Sequence, residues 1–267
     1  MNSALHIAVV ALAMGVVGCE TRPTPTPPVS PPSAREPDPA TPTRSITAVP
    51  VATPRAFTPS RDGFRFKNTF TGSPLPKIVR GLASQLGASV PNRYGLCGGM
   101  SSAAADYFFA GIAPPTDASP PADGTSLYDY LYARQLDSLG TGMIHAAKVG
   151  RWMMLDEGGP DGTQARSKAE FERIKTEINA RGIALVFMVY GGPDGKTPLW
   201  ENHQVLAYKT DETHISIYDP NYPGDDTAKL AFTPTTDGVR VERLTARGNT
   251  PVRGIFLGSY EKKAPPG

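Results

Sequence analysis

A switch of periodicity at Gly182 divides the chain into two differently built parts. Beyond it, Ile183 to Tyr190 is an unbroken apolar run of strand length, rich in branched side chains, and reads as a fully buried strand. His203 to Lys209 and His214 to Tyr218 alternate apolar and polar residues like two paired strands. Leu230 to Thr233, Gly238 to Leu244 and Val252 to Tyr260 add three more. Before Gly182 the period is mostly helical. Pro76 to Leu86 is closed by Gly87, Met100 to Gly111 is rich in alanine and aromatics, and Ser126 to Leu139 and Met143 to Leu155 continue the pattern. Ser167-Lys168-Ala169-Glu170 has the pattern of a capping box opening a helix to Arg181. Only Gly63 to Phe70 departs, alternating like a half-buried strand. Helices first and strands later, with no β-α-β rhythm, predict an α+β fold on an antiparallel sheet.

The amino-terminal end does not belong to that fold. Ala4 to Gly18 is an apolar run of about fifteen residues, short of the roughly 20 that span a bilayer as a helix. It ends Val16-Val17-Gly18-Cys19, which resembles the lipobox of bacterial lipoproteins, although Met1 to His6 lacks the usual Lys or Arg. The resemblance implies a signal peptide over residues 1–18, a diacylated Cys19 at the mature terminus, and export to a bacterial cell envelope. An unlipidated secretory signal cut elsewhere is the other reading. Residues 19–60 are thick with Pro, Thr, Ser and Ala, the composition of an extended tether that cannot bury enough apolar area to fold. Residues 61–262 are then one domain with a sizeable core, and 263–267, ending Pro265-Pro266-Gly267, a disordered tail.

Lys plus Arg at 27 nearly balance Asp plus Glu at 25, with no basic run or basic-aromatic stripe, which argues against a nucleic-acid partner. The cysteine count says more. The chain has two cysteines, so a lipidated Cys19 leaves Cys97 without a partner. A lone thiol in an oxidising compartment is a liability unless it is buried or used. Cys97 lies in Tyr94-Gly95-Leu96-Cys97-Gly98-Gly99, at the first turn of the helix predicted to follow. Free backbone N–H groups and the positive end of the helix dipole favour an anion there. Gly98 and Gly99 leave room for a substrate backbone to approach. An inert cysteine beside ordinary turn glycines fits that stretch equally well; the rest of the chain tips the balance.

His203 opens one predicted strand, and Asp219 ends the next in Tyr218-Asp219-Pro220-Asn221. A hairpin centred on Asp211 pairs Lys209 with Thr213 and, in the same register, His203 with Asp219. Directly opposed residues share a face with Cβ atoms about 4.5–5.5 Å apart, whereas a one-residue slip sends them to opposite faces. A carboxylate so placed accepts an imidazole N–H and supports the imidazolium. Other candidates are weaker. His214 and Ser216 share the face opposite Ile215 and Ile217 and are expected to meet solvent. His145 sits on a helix without nearby carboxylates, so no metal is expected there. Asp219, Asn221, Asp225 and Asp226 form an oxygen-rich stretch without the twelve-residue calcium-loop pattern. Trp200 walls the cleft or is a plain core aromatic. Gly191 to Gly195 has no lysine placed to hold phosphate, and Pro114 to Thr125 is a loop at the rim of any cleft. No cofactor is implied.

A cysteine opening a buried helix after a glycine-containing loop, then a histidine at a strand start, then an aspartate on the neighbouring strand resembles the papain-like fold. His203 to Tyr208 and Tyr218 to Asn221 are most similar to the bacteriocin-processing, double-glycine peptidases. The resemblance covers roughly Asn92 to Asn221 and rests on two short motifs. It implies a papain-like α+β domain whose nucleophile helix packs on the antiparallel sheet, with Cys97 as nucleophile, His203 as general base and acid, and Asp219 as orienting carboxylate. It also implies a cysteine peptidase or amidase acting on a peptide, isopeptide or cell-wall crosslink. An acyltransferase or transglutaminase with the same triad, or a catalytically silent binding module, are the alternatives. One position departs. Where such enzymes carry an oxyanion-donating glutamine about six residues before the cysteine, this chain has Pro91, leaving Asn92 first, then Asn202 or Gln85, beside the Cys97 N–H.

Overall fold

The computed structural model describes residues 55–72, 93–197 and 201–266. Cys19 and its lipobox, residues 19–54 of the proline-rich stretch, the expected helix Pro76–Leu86, and Gln85, Pro91, Asn92 and Trp200 lie outside the described residues. Among the described residues no helix is long and apolar enough to cross a membrane.

Helices α1 (Pro59–Asp62), α2 (Cys97–Ala110), α3 (Ser126–Ser138), α4 (Ile144–Met153) and α5 (Thr163–Arg181) precede strands β3 (Ala184–Val189), β4 (His203–Thr210), β5 (His214–Tyr218), β6 (Lys229–Thr235), β7 (Gly238–Thr245), β8 (Gly248–Val252) and β9 (Gly254–Leu257). A two-stranded ribbon, β1 (Phe70–Thr71) with β2 (Arg93–Tyr94), stands apart. The seven strands run in the order β8-β7-β6-β5-β4-β3-β9, every pair antiparallel. The domain is α+β, as the periodicity predicts.

The order hides a constraint. β8 and β9 occupy opposite edges, yet only Arg253 separates them in sequence. A flat sheet would hold those edges six strand spacings apart, roughly 29 Å, which one residue cannot span. The sheet therefore curls until its edges approach. α5 packs inside the curl against β9, β7, β3 and β4, closing a core of Phe171, Ile174, Val186, Val205, Ile217, Val241 and Ile255. α2 packs on the other face, against β4, with Leu131, Leu185, Leu206 and Tyr218 around it.

Several expectations change. The capping box does not open α5: the helix begins at Thr163, and Ser167 and Glu170 are buried within it. Their oxygens accept the Ile255 and Leu257 N–H groups at 3.1 and 3.0 Å. β9 pairs with β3 on one side only, and an edge buried under a helix must satisfy its donors somehow. The single run Val252 to Tyr260 is the junction of β8 and β9, because the chain crosses there from one edge to the other. Gly63 to Phe70 is not a strand along its length. Phe64, Phe66 and Phe70 are buried as the alternation requires, but the backbone donors of Phe64 and Asn68 go to the Tyr218 hydroxyl and the Pro220 carbonyl.

Both domain boundaries also move outward. Phe57 is 4% exposed and Pro59 opens α1, so the packed region starts before residue 61. At the other end Lys263 N–H donates to Asp106 and the Tyr107 hydroxyl to the Pro266 carbonyl. Residues 263–266 are docked rather than frayed.

Candidate active site

Strand directions alone bring several chemically distinctive residues to one end of the curled sheet. β3 ends there with Tyr190 beyond it, β4 begins there with His203, β5 ends there before Asp219, and β7 ends there with Arg243. His203 shares the inner face with Val205 and Ala207, and Arg243 with Val239 and Val241. α2 delivers Cys97 to the same end as its first residue.

The register between β4 and β5 differs from the expected one. The turn is not centred on Asp211. The Asp211 carboxylate accepts the Thr213 and His214 N–H groups, both at 2.8 Å, and this side-chain turn moves the reversal toward Glu212 and Thr213. Thr210 then pairs with Ile215 and Lys209 with Ser216. Continued unbroken, that register would put His203 and Asp219 on opposite faces. A bulge between Ala207 and Lys209 inserts one residue, after which Ala207 pairs with Ile217 and Leu206 with Tyr218. The extra residue restores the common face. His203 and Asp219 therefore meet diagonally rather than directly across, and Nε2–H of His203 donates to Asp219 Oδ1 at 2.7 Å.

The remaining contacts fix this pair. Asp219 Oδ1 also accepts the Asn221 N–H (2.9 Å), and Arg243 Nη1 donates to Asp219 Oδ2 at 3.2 Å. The Asn221 amide nitrogen lies 3.3 Å from His203 Nε2. The Cys97 sulfur lies close enough to the His203 side chain to favour its protonated form. Burial works against the imidazolium, but the Asp219 carboxylate and the thiol outweigh it and push His203 up to about 10. Burial likewise opposes the Asp219 carboxylate, yet His203, Arg243 and the Asn221 N–H hold it below the usual carboxylate range.

The loop leading into Cys97 is anchored from both sides. Leu96 N–H donates to Asn68 Oδ1 at 2.6 Å, and Asn68 Nδ2 donates to Asn221 Oδ1 at 3.1 Å. One asparagine thus ties the residue before Cys97 to the loop that carries Asp219. Gln135 Oε1 on α3 accepts the Gly99 N–H at 3.0 Å, satisfying one of the free donors at the start of α2. The glycines serve helix packing: a Cβ on Gly99 would overlap the Leu131 carbonyl, and one on Gly98 would overlap Ser138 Oγ and Gln204 Oε1. Gly99→Ala is expected to cost about 1–3 kcal/mol by forcing α2 off α3. Urea unfolding checks this, and an unchanged midpoint would mean that the helices have room to separate.

The other sequence candidates disperse. Asn202 Oδ1 accepts from Tyr190 N–H (2.9 Å) and Gly191 N–H (3.4 Å), so this amide pins the chain leaving β3. His214 contacts Asp211 and Thr213 at the hairpin, on the face opposite buried Ile215 and Ile217. His145 Nε2 faces Ser259 at 2.9 Å, with its ring beside the stacked Phe187 and Phe256 rings. The carboxylates of the oxygen-rich stretch diverge: Asp225 takes Thr227 and Ala246, Asp226 takes Ser60, and Asp219 serves His203. Residues 117–121 of the loop before α3, with Thr125, Ser126 and Leu127, line an open cavity of about 450 Å³. Asn68, Gln135 and Arg243 carry no local motif. Arg243 alone left a trace in the sequence, as a charge in phase with the inward-facing Val239 and Val241.

No protein-family model matches the chain, and neither a curated protein nor a solved structure matches it.

Proposed function

We propose that this protein is a papain-like cysteine hydrolase that cleaves an amide bond through an acyl-enzyme. The observation that carries the reading is the buried imidazole bonded to a carboxylate at 2.7 Å, within electrostatic reach of the thiol that opens α2. In this reading the Cys97 sulfur attacks the amide carbonyl as thiolate, and the C–N bond breaks as the His203 imidazolium gives its proton to the leaving nitrogen. The neutral imidazole then takes a proton from water. The hydroxide so formed attacks the thioester, releasing the acid and regenerating the thiol. Asp219 keeps the ring in one orientation and supports its charge throughout. The Cys97 N–H, free of helical bonding by its position, is the first oxyanion donor. The same intermediate would pass its acyl group to an amine in place of water, which is the transglutaminase-type variant.

The lipobox resemblance extends the proposal to location: an envelope lipoprotein tethered through diacylated Cys19, with peptide or cell-wall material as substrate. Intact-mass analysis of the mature terminus tests the anchor, and an unmodified terminus downstream of Cys19 refutes it. For the activity, peptides, isopeptides and cell-wall fragments are incubated with native protein and with Cys97→Ala. Cleavage by the native protein alone supports the hydrolase. Identical silence from both, with retained binding of a fragment, supports a non-catalytic module on the same fold.

A further inference from the structure

The hydrolase reading uses Cys97, His203 and Asp219 and leaves one buried charge at the same end of the sheet unused. Arg243 is 8% exposed and stands on β7, two strands from β5 in the sheet order. Its guanidinium reaches Asp219 Oδ2 at 3.2 Å and Thr250 Oγ1 at 3.2 Å. The Tyr222 and Tyr190 ring centroids lie 5.2 and 5.7 Å from Cζ. Nε is buried without a partner. Such an ion is costly to keep out of water, and an apolar side chain of similar volume would fill the space at less cost.

Charge balance gives the cation a purpose. Cys97 from α2 and Asp219 from the loop after β5 act on His203 directly; Arg243 from β7, Tyr190 beyond β3, and Tyr222 and Asp225 of that loop are the other ionisable groups of the cluster around Asp219. Burial pushes the Tyr190 hydroxyl up, so it adds no charge at physiological pH. Asp219 and Arg243 then cancel, so the sulfur and the imidazole form a pair of zero net charge whether the proton sits on one or the other. Without the guanidinium, the thiolate–imidazolium form would carry a net negative charge in a buried cluster. An additional proton would then be retained, and the sulfur would stay protonated to higher pH.

We propose that Arg243 is a positioning residue of the triad: it supplies the counter-charge that keeps Asp219 ionised and lets the Cys97–His203 ion pair form in a neutral cluster. This rests on the hydrolase reading for its consequence in turnover, but its test needs no substrate. The rate of Cys97 alkylation by iodoacetamide is measured against pH in the native full chain, in Arg243→Gln and Arg243→Met, and in Arg243→Lys. The two neutral variants are expected to move the acid limb of the profile upward by about one pH unit while keeping the alkaline plateau. Lysine, which retains the charge, is expected to hold the limb in place. A side chain that merely braces the fold would lower the melting temperature and leave the limb where it was, and that result overturns the proposal. Should neither neutral variant fold, Arg243→Lys decides alone: an unmoved limb supports the charge argument, and a limb shifted like that of a neutral variant overturns it. A native profile with no acid limb removes the hydrolase reading together with this inference, whereas a native limb that no Arg243 variant moves removes the inference only.

Discussion

Alanine at His203 is expected to erase the acid side of the Cys97 alkylation profile. In the native protein the imidazole keeps its proton up to about 10, so a thiolate formed at pH 6 has an imidazolium beside it. Remove the ring and the sulfur becomes an unassisted thiol with an ordinary pKa near 8.5. Its rate at pH 6 should then be about 0.3% of its own alkaline plateau, the thiolate fraction at that pH. Comparing each protein with its own plateau cancels the intrinsic nucleophilicity of the sulfur. The native protein should keep a substantial fraction of its plateau at pH 6, and identical single sigmoids for both proteins would end the triad argument. Asp219→Asn should fall between them, because the ring keeps its place but loses the charge that supports the imidazolium.

The second large effect concerns the fold. Asp106 is fully buried on α2 and accepts hydrogen bonds from Arg134 Nε (2.7 Å), the Tyr130 and Tyr260 hydroxyls (2.8 and 2.9 Å) and the Lys263 N–H (2.8 Å). Arg134, 2% exposed, gives a further bond to the Glu261 carbonyl. One carboxylate therefore joins α2, α3 and the carboxy-terminal segment. Asp106→Ala leaves a guanidinium buried without its main counter-charge, expected to cost about 3–5 kcal/mol. For a domain of this size that lowers Tm by roughly 10 °C. Asp137→Ala removes the partly exposed partner of the same arginine, and is expected to cost less than about 1 kcal/mol. Thermal and urea unfolding of the two variants side by side gives the contrast. A loss below about 1 kcal/mol for Asp106→Ala would mean that the cluster relaxes or hydrates freely.

The contrast between Asp106 and Ser167 shows which polar residues a sequence places correctly. Both lie on helices, and local pattern assigns them a capping or solvent role. Ser167 with Glu170 matches a capping box, yet their partners are N–H groups of a strand nearly 90 residues on. Asp106 has partners at positions 130, 134, 260 and 263. Nothing within one helical turn of either residue signals those partners. Arg243 differs, because its phase on β7 marks it as inward-facing; its partner Asp219 is what only the folded chain identifies.

Local periodicity was enough to decide the α+β class, the antiparallel sheet, the burial of β3 and the place of Cys97 at a helix start. These follow from side chains a few residues apart, whose spacing fixes which face is apolar. The pairing of His203 with Asp219 did not follow that way. Turn chemistry at Asp211 shifted the register by an odd number of residues, and the bulge at Tyr208 returned the two side chains to one face. The closure of β9 beside α5 and the arrival of Arg243 at Asp219 depend on the curl of the whole sheet. Sheet register and curvature are collective properties of strands far apart in the chain, so the tertiary structure alone could decide them.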